Sequence, residues 1–210
     1  MVRMIEPIPW NREQPGYPGE LERYLEREAP PTLWLAGDTA ILERPGTALF
    51  CSRRCTGIAA TRTFDVVQQL RDAGVTAMGG FHSPLEQECL RLLLKSPHPV
   101  VVGWGRSLVG ARLPPVCRRP LDEGRLLLVS ACGEAVRRVT RESARMRNLV
   151  LAALADRVLV TSAEAGSETA RLCACVVAWG KPLFCLDGPA GDPVRDLGAL
   201  PIHRGWLDRG

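Results

Sequence analysis

Residues 47–80 read TALFCSRRCTGIAATRTFDVVQQLRDAGVTAMGG, and the order of patterns in this stretch decides the fold. The unbroken apolar run at 47–51 suits a strand buried on both faces, because alternation appears only where one face meets water. A polar turn with Ser52, two arginines and Gly57 follows. Phe64, Val67, Leu70 and Ala73 then recur at helical spacing along one face. A second apolar run, VTAM at 75–78, ends on paired glycines. Strand, crossover helix and strand in this order make a βαβ unit, the building block of a parallel sheet.

The alternation continues outward. Apolar runs recur at 100–102 (VVV), 126–129 (LLLV), 158–161 (VLVT) and 183–186 (LFCL). Between them Leu85, Cys89, Leu92 and Leu93 share one helical face, and Leu149, Leu151, Ala152 and Leu154 another. The pattern predicts an α/β fold: a Rossmann-like doubly wound, mainly parallel sheet with helices on both faces and right-handed crossovers. Residues 1–30, rich in Pro, Glu and Arg, read as an N-terminal lead-in with a short helix at 21–27 that Pro30-Pro31 closes. Residues 31–210 read as a single domain, since 210 residues fill one core and are short for two.

Composition narrows the class. Apolar residues make up 46% and charged residues 24%, a globular balance. No apolar run approaches the ~20 residues that span a bilayer. The first ten residues carry Glu6 and two prolines where an export signal needs an apolar centre, so a cytoplasmic protein without a membrane partner is expected. Of eight cysteines, Cys51, Cys132 and Cys185 lie in or beside strand runs, and Cys173 and Cys175 in a helical stretch. They read as reduced, buried thiols. Cys51-x-x-x-Cys55 and Cys173-x-Cys175 have no second pair at zinc spacing, so no metal is expected. No Walker lysine and no Gly-x-Gly-x-x-Gly is present, and no cofactor is implied. A net charge of +4 is too mild to identify a nucleic-acid binder. Arg137, Arg138, Arg141, Arg145 and Arg147 crowd one segment, whose default reading is a solvated helix face.

Open parallel sheets bind ligands beyond the carboxyl ends of their strands, where helix N-termini offer amide donors. Each strand exit is therefore a candidate site. At the first, Ser52, Arg53, Arg54 and Thr56-Gly57 offer hydroxyls, forked donors and close backbone approach; the plainer reading is a polar turn with Thr56 as helix cap. At the second, Gly79 and Gly80 leave room against the chain, Phe81 offers a stacking ring, and His82 is a phosphate contact or a capping histidine. At the third, Gly103-Trp104-Gly105-Arg106 is a stacking platform with a phosphate clamp, or a tight turn whose indole packs inward. Further on, Arg145 and Arg147 sit two apart, so at most one faces a shared ligand. The last exit, Gly166-Ser167-Glu168-Thr169, can cradle phosphate as a helix begins, or simply cap that helix.

Together these segments resemble the Rossmann-fold core of the bacterial DNA-processing protein family (DprA/Smf), within the superfamily it shares with the cytokinin-activating LOG enzymes. The entry pattern of that family is echoed by Tyr17-Pro18, Leu21, Pro31-Thr32-Leu33 and Gly37. Its Gly-Ser-Arg phosphate motif falls on Cys51-Ser52-Arg53, its arginine-asparagine motif on Arg147-Asn148-Leu149, and its Ser-Gly-Ser-x-x-Thr-Ala loop on residues 165–170. Gly180-Lys181-Pro182 and Leu197-Gly198-Ala199 also look like family landmarks. Cys51 replaces the first motif glycine, and Gly79-Gly80-Phe81-His82-Ser83-Pro84 replaces a Ser-Gly-x-Ala-x-Gly-Ile-Asp segment. The helical and winged-helix domains that often flank this core are not recognised, which suggests a divergent, core-only member.

The resemblance implies a non-catalytic binder of single-stranded DNA, acting in DNA uptake, recombination or defence, with Ser52, Arg53 and Asn148 matching the family site. It also implies a homodimer; a recombinase partner is known for the family, but nothing in this sequence speaks to one. Two other readings stay open. One is a sensor of a nucleotide-derived signal. The other is a LOG-like nucleotide N-glycosidase, for which Glu168 is the only acidic residue in the phosphate loop, although the LOG signature is missing. For a binder, Glu168 reads as a carboxylate that repels the ligand.

Overall fold

The computed structural model describes residues 4–52, 55–203 and 205–207. Among these residues the strands in chain order are β1 (Ile8–Asn11), β2 (Thr32–Gly37), β3 (Gly46–Cys51), β4 (Thr76–Gly79), β5 (Val100–Trp104), β6 (Leu126–Ser130), β7 (Arg157–Ser162), β8 (Leu183–Cys185) and β9 (Leu200–Pro201). The helices are α1 (Gly19–Leu25), α2 (Gly57–Asp72), α3 (Pro84–Leu93), α4 (Pro115–Asp122), α5 (Arg141–Leu154), α6 (Glu168–Ala178) and α7 (Asp192–Arg195). All strands join one sheet in the order β1-β2-β6-β5-β4-β3-β7-β8-β9. Pairing is parallel from β6 across to β9 and antiparallel at β1-β2 and β2-β6. All six predicted runs are strands, and the doubly wound fold is the one observed.

The apolar runs are unbroken because both sheet faces are covered. Leu127 and Val129 of β6 point to a core shared with α1, α5 and α6. Leu126 and Leu128 point to the opposite core, shared with α2, α3 and α4. All four leucines and valines are essentially sealed from solvent. Each such side chain contributes about 1.5–3 kcal/mol, so one strand anchors two layers at once.

Three strands escape the sequence reading. β2 follows Pro30-Pro31 and begins with alternating burial, since its pairing is antiparallel. β1 is an edge strand, where the missing donor of Pro9 does no harm, and β9 is two residues long. The predicted face of α2 is also rotated. Ala59, Thr63, Val66, Val67 and Leu70 point inward, whereas Phe64 is half-buried and Ala73 exposed. The lead-in helix ends as a 3-10 turn at Glu26–Glu28, and its Leu21 and Leu25 pack into the α5 core.

The Gly180-Lys181-Pro182 landmark has a structural task. The Lys181 ammonium donates to the carbonyls of Ala152 (2.9 Å), Ala153 and Ala155, closing the C-terminal end of α5. It also lies 4.4 Å over the Tyr24 ring. Burial pushes its pKa down to about 8. The eight cysteines are free. Burial pushes the Cys51, Cys89 and Cys173 thiols up to about 12, so they stay protonated at neutral pH. No helix among the described residues is long and apolar enough to cross a membrane.

Candidate functional site

The chain runs from β3 outward through β4, β5 and β6, then returns to place β7 on the other flank of β3. Such a reversal opens a crevice between the two loops that leave the central strands. A register shift between Phe50 and Cys51 sets Cys51 opposite Ser162. The amide of buried Ser52 donates to the Ser162 carbonyl at 2.9 Å, which stitches the β3 and β7 loops together. Arg53 and Arg54 lie outside the described residues. Thr56 caps α2 by accepting from the Ala59 amide at 3.2 Å. The first turn of α2 carries no acid, so its positive end faces the crevice uncompensated.

At the β4 exit the helix end is already occupied. Ser83 caps α3, and the Glu86 carboxylate folds back to accept from the amides of His82 and Ser83, both at 3.0 Å. The cap is thus Ser83, while the His82 side chain stands exposed beside it. Phe81 adopts a left-handed φ of +49°. Its ring presses on Gly79, where a Cβ would come within 2.8 Å of it, and only 6% of the residue is exposed. Trp104 is 9% exposed, with the Arg106 guanidinium 4.7 Å above its ring. The two expected stacking platforms are therefore core residues. Packing on the sheet outcompetes exposure for rings of this size.

Arg147 occupies the space that the glycines leave open. A Cβ on Gly80 would stand 2.8 Å from its Cζ, and one on Gly103 would stand 3.0 Å from its Cγ. The side chain therefore crosses the ends of β5 and β4 on a glycine floor. Asn148 fixes its direction: Oδ1 accepts from Nε at 3.0 Å and from the adjacent terminal nitrogen at 2.8 Å. Asn148 thus orients the guanidinium through a fork. Arg145 diverges, as the two-residue spacing requires, and pairs with Glu28 at 2.8 Å. Arg137 donates to the Val109 carbonyl at 2.9 Å. The arginine segment is thereby spread over several partners.

The β7 exit makes a turn closed by Ser167 N to Glu164 O at 3.1 Å, with Gly166 at φ +71°. Ser167 caps α6 by accepting from the Ala170 amide at 3.1 Å, and Thr169 sits half-buried in the first turn. Glu168 does not stand alone. Its Oε1 accepts from Arg141 Nε at 3.0 Å and also pairs with Arg171. The Arg141 guanidinium holds its carboxyl below the usual carboxylate range. Glu168 is thus a paired carboxylate. Sequence reasoning overlooked Arg141 and Arg171 as rim groups. The i,i+3 spacing of Glu168 and Arg171 was a local hint, but the reach from Arg141 spans 27 residues.

A cavity of about 630 Å³ opens at the other end of the sheet, lined by Arg44, Lys95, Arg119 and Arg125 among others. Its basic character has a local cause. Arg125 donates to the Leu94 and Ser96 carbonyls, both at 3.0 Å, beyond the C-terminal end of α3, and Glu123 pairs with both Arg119 and Arg125. The ring of helix N-termini and arginines lies at the opposite rim.

A family model described as DNA recombination-mediator protein A matches residues 10–200. No curated protein matches the chain. The fold is similar to that of DNA processing protein A from Streptococcus pneumoniae, with a TM-score of 0.80 over 97% of this chain and 74% of that one, at 19% identity. It is equally similar to DNA processing protein A from Helicobacter pylori, described for its single-stranded DNA binding mode; the TM-score is 0.79 over 99% and 97% of the two chains, at 18% identity. A looser likeness joins it to the molybdenum cofactor binding protein from Rippkaea orientalis, with a TM-score of 0.52 over 74% and 82% of the chains at 12% identity.

Proposed function

The chain belongs to the DNA recombination-mediator protein A family, and from that premise we propose that it binds single-stranded DNA along the rim around the β3/β7 crevice. The observation that carries this reading is Arg147, laid over Gly80 and Gly103 at the carboxyl ends of β4 and β5 and held there by Asn148. A guanidinium held at the strand ends, on the same rim as the acid-free first turn of α2, supplies the positive charge that the phosphate diester of a strand requires. With Phe81 and Trp104 buried, the grip falls on the backbone rather than on the bases. The pairing of Glu168 with two arginines favours binding over cleavage of an N-glycosidic bond, because an engaged carboxylate is a poor stabiliser of a ribosyl cation.

Fluorescence anisotropy with labelled oligonucleotides tests the proposal. Single strands are expected to bind more tightly than duplexes, with a log–log salt slope of about 0.7 for each phosphate neutralised. Arg53, which matches the family phosphate motif, contributes to that slope, and Arg53→Ala should lower both slope and affinity. Equal affinity for duplex and single strand, or a mutant that matches the parent, would remove the reading.

The active form is proposed to be a cytoplasmic homodimer. Among the described residues both sheet edges are unpaired, and Ile8 on β1 and Leu200 on β9 are 68% and 54% exposed, which supports a second copy covering one edge. Light scattering at micromolar concentration should give twice the chain mass; monomer mass alone contradicts it.

A further inference from the structure

Glu168 is placed differently from Glu86, another acid in the first turn of a helix at this rim. Glu86 occupies the third position of α3, from which its carboxylate reaches back to the amides of His82 and the Ser83 cap just before the helix. Glu168 occupies the first position of α6, directly after the Ser167 cap. It has no capping task, and its carboxylate turns outward to Arg141 and Arg171. One of these arginines opens α5 and the other lies one turn into α6, so the carboxylate joins two helices across the β7 exit.

Stability does not explain the arrangement. The arginine side chains are 76% and 60% exposed, and exposed ion pairs contribute little to folding. Charge does offer an explanation. Two guanidinium groups share the single oxygen Oε1, so two positive charges meet one negative charge and the trio remains cationic. Arg141 uses Nε and one terminal nitrogen on Glu168, which leaves its other terminal nitrogen directed elsewhere. A long arginine free in solvent loses rotamer entropy when it meets a phosphate; one already held loses less.

We propose that Glu168 is a positioning residue that holds Arg141 and Arg171 beside the β7 loop as two further phosphate-binding groups. The inference rests on the single-stranded DNA reading and adds to it a wall of the site supplied by α5 and α6. The carboxylate thus strengthens the grip on an anion although its own charge opposes it.

The sign of one substitution tests this. Glu168→Ala removes a negative charge from the rim, and simple repulsion predicts tighter binding with an equal or steeper salt slope. Positioning predicts the reverse: affinity for a labelled oligothymidine falls roughly threefold to tenfold as held charge-assisted contacts are lost. The salt slope then drops by up to about 0.7 for each arginine that no longer meets a phosphate. The Arg141→Ala/Arg171→Ala variant should show the same loss, and adding Glu168→Ala to it should cause no more. Thermal midpoints of these surface variants should match the parent. Parent-like or tighter binding by Glu168→Ala, or a further loss in the triple variant, overturns the positioning role alone. A parent protein that binds no single-stranded DNA overturns the proposed function and this inference with it.

Discussion

Arg147→Ala is expected to weaken single-stranded DNA binding by roughly 10- to 150-fold, the equivalent of the ~1.5–3 kcal/mol that hydrogen bonds to a charged group contribute. The expectation follows from how much of the local chain serves this one side chain. Gly103 and Gly80 are bare where the side chain passes, and Asn148 spends its carbonyl oxygen on the fork. Gly80→Ala provides an independent check, because its Cβ would stand 2.8 Å from both Cζ and Nε and push the guanidinium aside. The obstructed atoms are the far end of a flexible chain, so the fold should keep its thermal midpoint while affinity falls. Titrations at one fixed salt concentration read both variants. Parent-like affinity in Arg147→Ala would show that the glycine floor serves packing alone.

A large effect on stability is expected at Gly37, the last residue of β2. Its φ is +119°, a conformation that side chains other than glycine rarely adopt. A Cβ there would stand 2.2 Å from the Leu126 carbonyl oxygen of β6 and 3.0 Å from Leu121. The obstacle is backbone in a buried strand, so neither side can yield without breaking the β2-β6 ladder. Gly37→Ala should therefore cost more than about 3 kcal/mol, combining backbone strain with a core clash. Urea unfolding followed by circular dichroism would record the loss as a lower midpoint. A midpoint within error of the parent would mean that β2 is not held in this register.

Why some of this was legible beforehand and some was not comes down to the range of the forces involved. The six central strands declare themselves because burial on two faces leaves no charged residue in the run, as in LLLV at 126–129. β2 hides because its first residues alternate and two prolines precede it. Helix caps are local, so Thr56 and Ser167 could be read from their neighbours. Arg147 beside Asn148 is likewise a one-residue relation. The burial of Phe81 and Trp104 depends on what packs against them from distant segments, and no nearby residue announces it. The bond from Arg141 to Glu168 exists only because α5 and α6 start at the same rim. Sequence spacing carries no trace of such a meeting.

Glu86 has a consequence for the shape of any path along the rim. By folding onto the amides of His82 and Ser83 it acts as a resident counter-ion, and the end of α3 is discharged before a ligand arrives. The neighbouring end of α2 has no such occupant. Attraction along the rim is therefore lopsided: strong at the β3/β7 crevice, slack at the exit of β4. If the rim binds a single strand as proposed, the strand is expected to be held firmly at the crevice and loosely beside β4, which would make the rim a pivot rather than a track.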